Sequence, residues 1–409
     1  MEQLLEKYAG VILNTCLKVE KDQPLFISCT TERLDFVRIL TKQAYKIGVK
    51  DIYYDLQDPI LRHEALLNLN LEELKNLHIF NRHAWSEYAK KGAAFVMLVS
   101  ENPGLMSDVN AKLSSDIAMY GLETRKEFDD LRDKSMVPWC IAAVPTESWA
   151  KLLFKDSKNP VEDLWNKIFD ICQIKEDNVE ELWNEKINKL SERAEKLNNC
   201  HFKTLKYKNS KGTDFSIELP ENHLWGSGKE SLQIGKDVLV NFPTEEIFTS
   251  PNCETANGIV YSSKPLSYHD VIIDNFSITF KDGRAVDCKA EKGEETLKEL
   301  INSCKNSDRL GEVALVPYDS PISNSNIIFY ETLFDENAAC HLALGAAFPD
   351  CLKGGPEMSK EELEANKLND CANHVDFMIG TNDLEIIGTT FDGKEIKIFE
   401  NGNFTQYFN

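Results

Sequence analysis

The chain has 409 residues, with 46 Lys+Arg against 67 Asp+Glu for a formal net charge of -21, and is 42% hydrophobic and 10% aromatic. That length fits two or three domains with sizeable cores, and the apolar share excludes an acidic disordered tail. The acidity excludes a bulk nucleic-acid binder, which clusters Lys and Arg against phosphate, and leaves carboxylates available to hold cations.

The first twenty residues open Met1-Glu2-Gln3-Leu4-Leu5 and read as an amphipathic helix, not as a leader peptide. Pro24 to Cys29 reads as a short buried strand. Thr31 opens a helical pattern with Leu34, Val37, Leu40 and Tyr45 on one face and Gly48 as its stop. Strand patterns at 51–55, 94–99 and 139–144 alternate with helical patterns at 57–68 and 107–119. That alternation predicts a parallel sheet with crossover helices. No apolar run approaches the roughly 18 residues of a membrane-crossing helix. The charged stretch 178–198 reads as a long connecting helix.

From about residue 201 the grammar changes. Short alternating strands are expected at 202–207, 214–219, 238–242, 271–280 and 285–289, with turns at Asp282-Gly283 and Asp392-Gly393. Helices are expected near 294–304 and 336–347. The fold class is therefore α/β plus mainly β: an N-terminal α/β domain over 1–200 and a C-terminal β-rich domain over 201–409. Eleven scattered cysteines read as reduced thiols in a cytoplasmic protein.

Several motifs lead nowhere. Gly226-Ser227-Gly228-Lys229 lacks the first glycine of a phosphate loop, where His223 stands instead. No Gly-x-Gly-x-x-Gly follows the first strand and no Gly-x-Ser-x-Gly elbow exists. Cys371 and His374, with Cys340 or Cys351, make half of a structural zinc pattern without its second close pair. His63, His78 and His83 lie among charged residues and read as surface positions.

The informative residues are carboxylates and histidines of the second half. His374 and Asp376 are two apart in a strand pattern, so both project to one side, as metal ligands must. A hydrogen-bonded core pair is the plainer alternative. His341 sits in a small apolar run, where a core histidine is the commoner reading. Glu246 follows Glu245 between Phe242 and Phe248, in what is otherwise a solvated turn. Glu312 stands before the apolar Val313 to Val316 and needs a partner if buried. Together these five offer oxygen and imidazole donors, which suit Zn²⁺, Co²⁺ or Mn²⁺. They are too many for one tetrahedral zinc and reasonable for two ions sharing a carboxylate.

The stretches around these residues resemble the M29 family of metallo-aminopeptidases, the thermophilic metalloproteases. They are NFPTEEIFTSP (241–251), LGEVALVP (310–317), SPIS (320–323), ETLFDENAACHLALG (331–345) and HVDFMIG (374–380). The resemblance implies metal ligation by Glu246, Glu312, His341, His374 and Asp376, with Glu312 also catalytic. It implies two divalent ions, removal of N-terminal residues from short peptides, a homodimer, and a first domain that supports and closes over the site. The acidity and the lack of a long apolar run imply no nucleic-acid or membrane partner. The family has a catalytic tyrosine seven residues after the histidine; here that position is Phe348. A phenylalanine donates no hydrogen bond to an oxyanion. The competing expectation is thus a weakened metal- and peptide-binding protein of the same fold. Asp335, Glu336 and Asp383 are candidates to orient the imidazoles.

Overall fold

Leu25–Thr30 and Ala94–Val99 are buried on both faces, which is why their sequences are almost unbroken apolar runs. They are the centre of a five-stranded parallel sheet in the computed structural model, which describes residues 1–77, 79–100, 102, 104–106, 108–268 and 271–409, without the side chains of 79–82, 111, 115 and 122. The chain forms two compact units, Met1–Glu185 with Lys229–Pro243, and Lys186–Gly228 with Thr244–Asn409. The sequence suggests one boundary at residue 200; the chain instead passes between the units three times.

In the first unit the strands run in the order Asn241–Phe242, Trp139–Ala143, Ala94–Val99, Leu25–Thr30, Ile52–Gln57, all parallel. The helix Leu34–Ile47 ends at Gly48, whose φ of 102° is a conformation that side chains resist. Asp58 accepts hydrogen bonds from the Ile60 and Leu61 amides at 3.0 Å and so caps the helix Pro59–Asn68. Phe26 packs on Trp85 and Phe95 with ring centroids 4.6 and 4.9 Å away. The segment read as one strand at 238–242 is two. Lys236–Leu239 pairs with Lys229–Leu232, and Asn241–Phe242 joins the parallel sheet.

The second unit holds two antiparallel sheets, of nine and five strands. Phe202, Phe215, Ile278 and Phe399 of the larger sheet share one apolar core with Val313, Leu342, Leu344 and Phe377 of the smaller. Asp282 and Gly283, both at positive φ, form the two-residue turn between Val271–Lys281 and Arg284–Lys292. The smaller sheet runs His374–Met378, His341–Gly345, Leu310–Leu315, Ile247–Thr249, Gly226–Ser227. The last of these is an edge strand followed by another strand, not a helix, so the Gly226-Ser227-Gly228-Lys229 segment has no phosphate-loop setting.

The helix expected at 336–347 is not there. A single 3₁₀ turn, Glu336–Ala338, precedes the strand His341–Gly345, buried between two neighbours. The run Ala338 to Ala347 is rich in alanine and leucine, good helix formers, and pairing on both edges overrides that preference.

Between Leu310 and Glu312 the pairing with His341–Gly345 slips by one residue, leaving Gly311 as a bulge. A Cβ on Gly311 would lie 2.1 Å from the Ala346 carbonyl oxygen. Gly311→Ala is expected to cost about 1–3 kcal/mol, measured as a lower urea midpoint. A midpoint equal to wild type would show that the bulge tolerates a side chain.

Candidate metal centre

Residues two apart in a strand face the same side of the sheet. In the centre of the smaller sheet Val313, Leu315, Leu342, Leu344 and Phe377 face the core. Glu312, His341, His374 and Asp376 occupy the alternate positions. The register places Glu312 opposite Ala343, and Ala343 opposite Asp376. The small Ala343 side chain leaves the space between the two carboxylates open. Gly311 sets this register, because the extra residue turns Glu312 toward the same face as Asp376. Glu246 immediately precedes the neighbouring strand Ile247–Thr249.

These residues converge. Ligand-capable atoms of Glu246, Glu312 and His341 lie within 4.8 Å of one another, and so do those of Glu312, His374 and Asp376. Glu312 belongs to both sets. It is 3% exposed and His341 1%.

Each imidazole is held from behind by a backbone carbonyl. His341 Nδ1 is 3.1 Å from the Ala339 oxygen, and His374 Nδ1 is 2.8 Å from the Ala346 oxygen. Both Nδ1 atoms are therefore donors, and both Nε2 atoms point at carboxylates. His341 Nε2 is 3.4 Å from Glu246, and His374 Nε2 is 3.0 Å from Glu312 and 3.3 Å from Asp376. A neutral ring would aim a lone pair at those oxygens. The arrangement needs a proton between each Nε2 and its carboxylate, or a metal cation there.

The charge balance points the same way. Burial pushes the Glu312 carboxyl up to about 7, against the pull of His374. Burial, and then the Glu246, Asp376 and Glu312 charges, push Glu336 well above its ordinary value. For His341, burial lowers the value, but Glu246, Asp376 and Glu312 outweigh it and raise it to about 9. Asp376 Oδ1 is buried beside His374 Nε2, 3.3 Å away, and makes no well-formed hydrogen bond among the described residues. Four carboxylates around two imidazoles is a costly arrangement unless protons or cations neutralise it. The donor set and the poorly satisfied Asp376 oxygen both fit divalent metal.

Phe348 packs its ring against His374 at 4.8 Å and against Phe248 at 5.6 Å between centroids. Its amide donates to Ser250 Oγ at 2.9 Å. The residues expected to orient the imidazoles are placed otherwise. Asp335 accepts the Phe329 amide at 2.8 Å, and Asp383 accepts from the Ser210 amide and the Thr381 hydroxyl. Glu336 stands among the carboxylates, with Asn337 Nδ2 donating to it. Carbonyls do the orienting, and their sequence carries no signal of it. The half zinc site is overturned as well. Among the described residues neither ligand set contains a cysteine, and Cys340 donates its thiol hydrogen to the Val316 carbonyl. His63 is bonded to Asp108, His83 is exposed, and His78 lies outside the described residues. Half-buried Lys186 pairs with the buried Glu245, beside Glu246, and no local sequence pattern signals that ion pair.

A family model described as thermophilic metalloprotease (M29) matches residues 1–404. Aminopeptidase 2 of Geobacillus stearothermophilus is 40% identical over 408 residues, 98% of each chain. Aminopeptidase AmpS of Bacillus subtilis is 39% identical over 404 residues, again 98% of each. The solved structure of wild-type AmpT from Thermus thermophilus matches with a TM-score of 0.91 at 30% identity, over 98% of this chain and 99% of that one.

Elemental analysis of chelated and zinc-reloaded protein is expected to give about two ions per chain. Glu246→Gln or Asp376→Asn is expected to lose one ion, and Glu312→Gln to lose tight binding of both. Equal losses in all three variants would contradict the sharing of Glu312.

In metal-free protein His341 stands at about 9 against an ordinary 6.5. A raised value stabilises the fold fully below pH 6.5 and loses that contribution as pH rises through about 9. The urea midpoint of chelated protein is expected to fall across that window, and His341→Gln to flatten the fall. A midpoint that rises there would contradict the arrangement.

Proposed function

Because this chain belongs to the M29 family, the thermophilic metalloproteases, we propose that it is a metal-dependent aminopeptidase that takes single residues from the N-termini of short peptides. That it is a hydrolase of peptide bonds follows from the family. The two-ion mechanism and the choice of the peptide N-terminus are the proposal. The observation that carries it is the sharing of Glu312 between two ligand sets, in a chain whose relatives over 98% of its length are named aminopeptidases.

In this reading Glu246, Glu312 and His341 would hold one divalent ion, and Glu312, His374 and Asp376 would hold the other. Such ions would supply polarisation of the scissile carbonyl and a nucleophile derived from water at neutral pH. Glu312 has a place in both sets, which favours the bridging role over carrying a proton. The Ala339 and Ala346 carbonyls retain the Nδ1 protons of His341 and His374, so each ring offers its Nε2 lone pair. Phe248 and Phe348 line the His374 side with apolar surface, which limits water there. A homodimer in a cytoplasmic setting belongs to the same proposal. The family resemblance supports the first, and the eleven unpaired cysteines support the second.

Chelated protein reloaded with Zn²⁺, Co²⁺ or Mn²⁺ is expected to release the first residue of short peptides and to leave N-acetylated peptides intact. Cleavage with none of the metals, or cleavage at internal bonds, would overturn the proposal. The family's tyrosine hydroxyl is missing at Phe348. Phe348→Tyr is expected to raise kcat by up to about 10²-fold with little change in KM. An unchanged kcat would show that another donor already serves the oxyanion.

A further inference from the structure

Cys304 and Cys371 are 67 residues apart in sequence, and their sulfurs lie 3.2 Å from each other. Cys304 follows the helix Glu294–Ile301, and Cys371 lies in the loop that runs into the ligand strand His374–Met378. Both are half-buried, within reach of a small oxidant. A disulfide needs about 2.05 Å between sulfurs, so roughly 1 Å of travel joins them. Another close pair, Cys16 and Cys140, is fully buried and shielded from solvent.

The pair reaches the metal centre through one residue, Asn373. Cys371 donates to Asn373 Oδ1 at 2.8 Å, and Cys304 lies 3.6 Å from the same oxygen. Asn373 Nδ2 donates to Ser303 Oγ at 2.9 Å. The Asn373 carbonyl accepts the Ala346 amide at 2.7 Å, and the Ala346 carbonyl in turn holds His374 Nδ1 at 2.8 Å. The packing there is tight, since a Cβ on Gly345 would lie 2.1 Å from the Asn373 carbonyl oxygen. A disulfide removes both S–H donors from Asn373 Oδ1 and draws the two loops together.

We propose that Cys304 and Cys371 form a reversible redox pair, oxidised to a disulfide by a hydroperoxide, and that the bond weakens metal binding at His374. Partial burial raises the Cys304 thiol, but the adjoining Cys371 sulfur, the Ala372 and Asn373 amides and the Ser303 hydroxyl outweigh it and hold it below its ordinary value. Burial pushes Cys371 up to about 11. Cys304 is therefore the attacking sulfur and Cys371 the resolving one. With hydrogen peroxide, the Cys304 thiolate attacks one peroxide oxygen, the O–O bond breaks, and a water leaves after protonation. The sulfenic acid formed on Cys304 is then attacked by the Cys371 sulfur, which expels a second water. Two thiols lose two protons and two electrons, and the peroxide is reduced to two waters.

The test uses the full chain loaded with redox-inert zinc and one equivalent of hydrogen peroxide. Non-reducing peptide mapping is expected to find a Cys304–Cys371 cross-link, with loss of two titratable thiols and recovery by dithiothreitol. Zinc affinity, read by competition with a chelating dye, is expected to fall about 10-fold on oxidation. Neither response is expected in Cys304→Ser or Cys371→Ser. Mapping of wild-type protein that finds sulfinic acids or a Cys16–Cys140 bond, and no Cys304–Cys371 link, would overturn the pair. A mapped Cys304–Cys371 disulfide with unchanged zinc affinity would overturn the coupling to His374. The mapping reads the same whether or not the protein cleaves peptides.

Discussion

Buried carboxylates repel one another and lose their hydration, and the second unit of this protein gathers Glu246, Glu312, Asp376 and Glu336 around two imidazoles. Like charges in that density call for neutralisation, by protons or by a compensating cation. The fold is built to tolerate the demand. One face of the smaller sheet is committed to a shared apolar core, so the polar residues of the same strands have a single place to go. The bulge at Gly311 and the small side chain of Ala343 then set Glu312 and Asp376 in one row.

Positioning in this centre relies on the backbone more than on charged helpers. The carbonyls of Ala339 and Ala346 fix the tautomer of His341 and His374 without adding charge to a site already rich in it. A carboxylate behind each ring would raise the repulsion further. Phe348 continues this economy: its ring keeps the packing on His374 and gives up the hydroxyl.

Much of this was legible in the sequence, because strand periodicity is a local property. His374 and Asp376, two apart before an apolar run, announce a shared face. Their convergence with Glu312 depends on register and on a bulge at one glycine, which no spacing reveals. The residues of the strand His341–Gly345 favour helix locally and are overruled by pairing on both edges. Asn241–Phe242 is two residues long, and nothing in its composition shows that it joins a distant parallel sheet. The approach of Cys304 to Cys371 is likewise a tertiary fact. The long ordered stretches around Glu246, Glu312, His341 and His374 carried the family resemblance because so many of the centre's requirements are met within them.

The sharing of Glu312 between two ions is tested most directly by anomalous diffraction from crystals of the metal-loaded protein, recorded at the absorption edge of the bound metal. Two peaks are predicted, one beside Glu246 and His341 and one beside His374 and Asp376, each in contact with the Glu312 carboxylate. A single peak, or a peak bound by Cys371 and His374 away from Glu312, would contradict it.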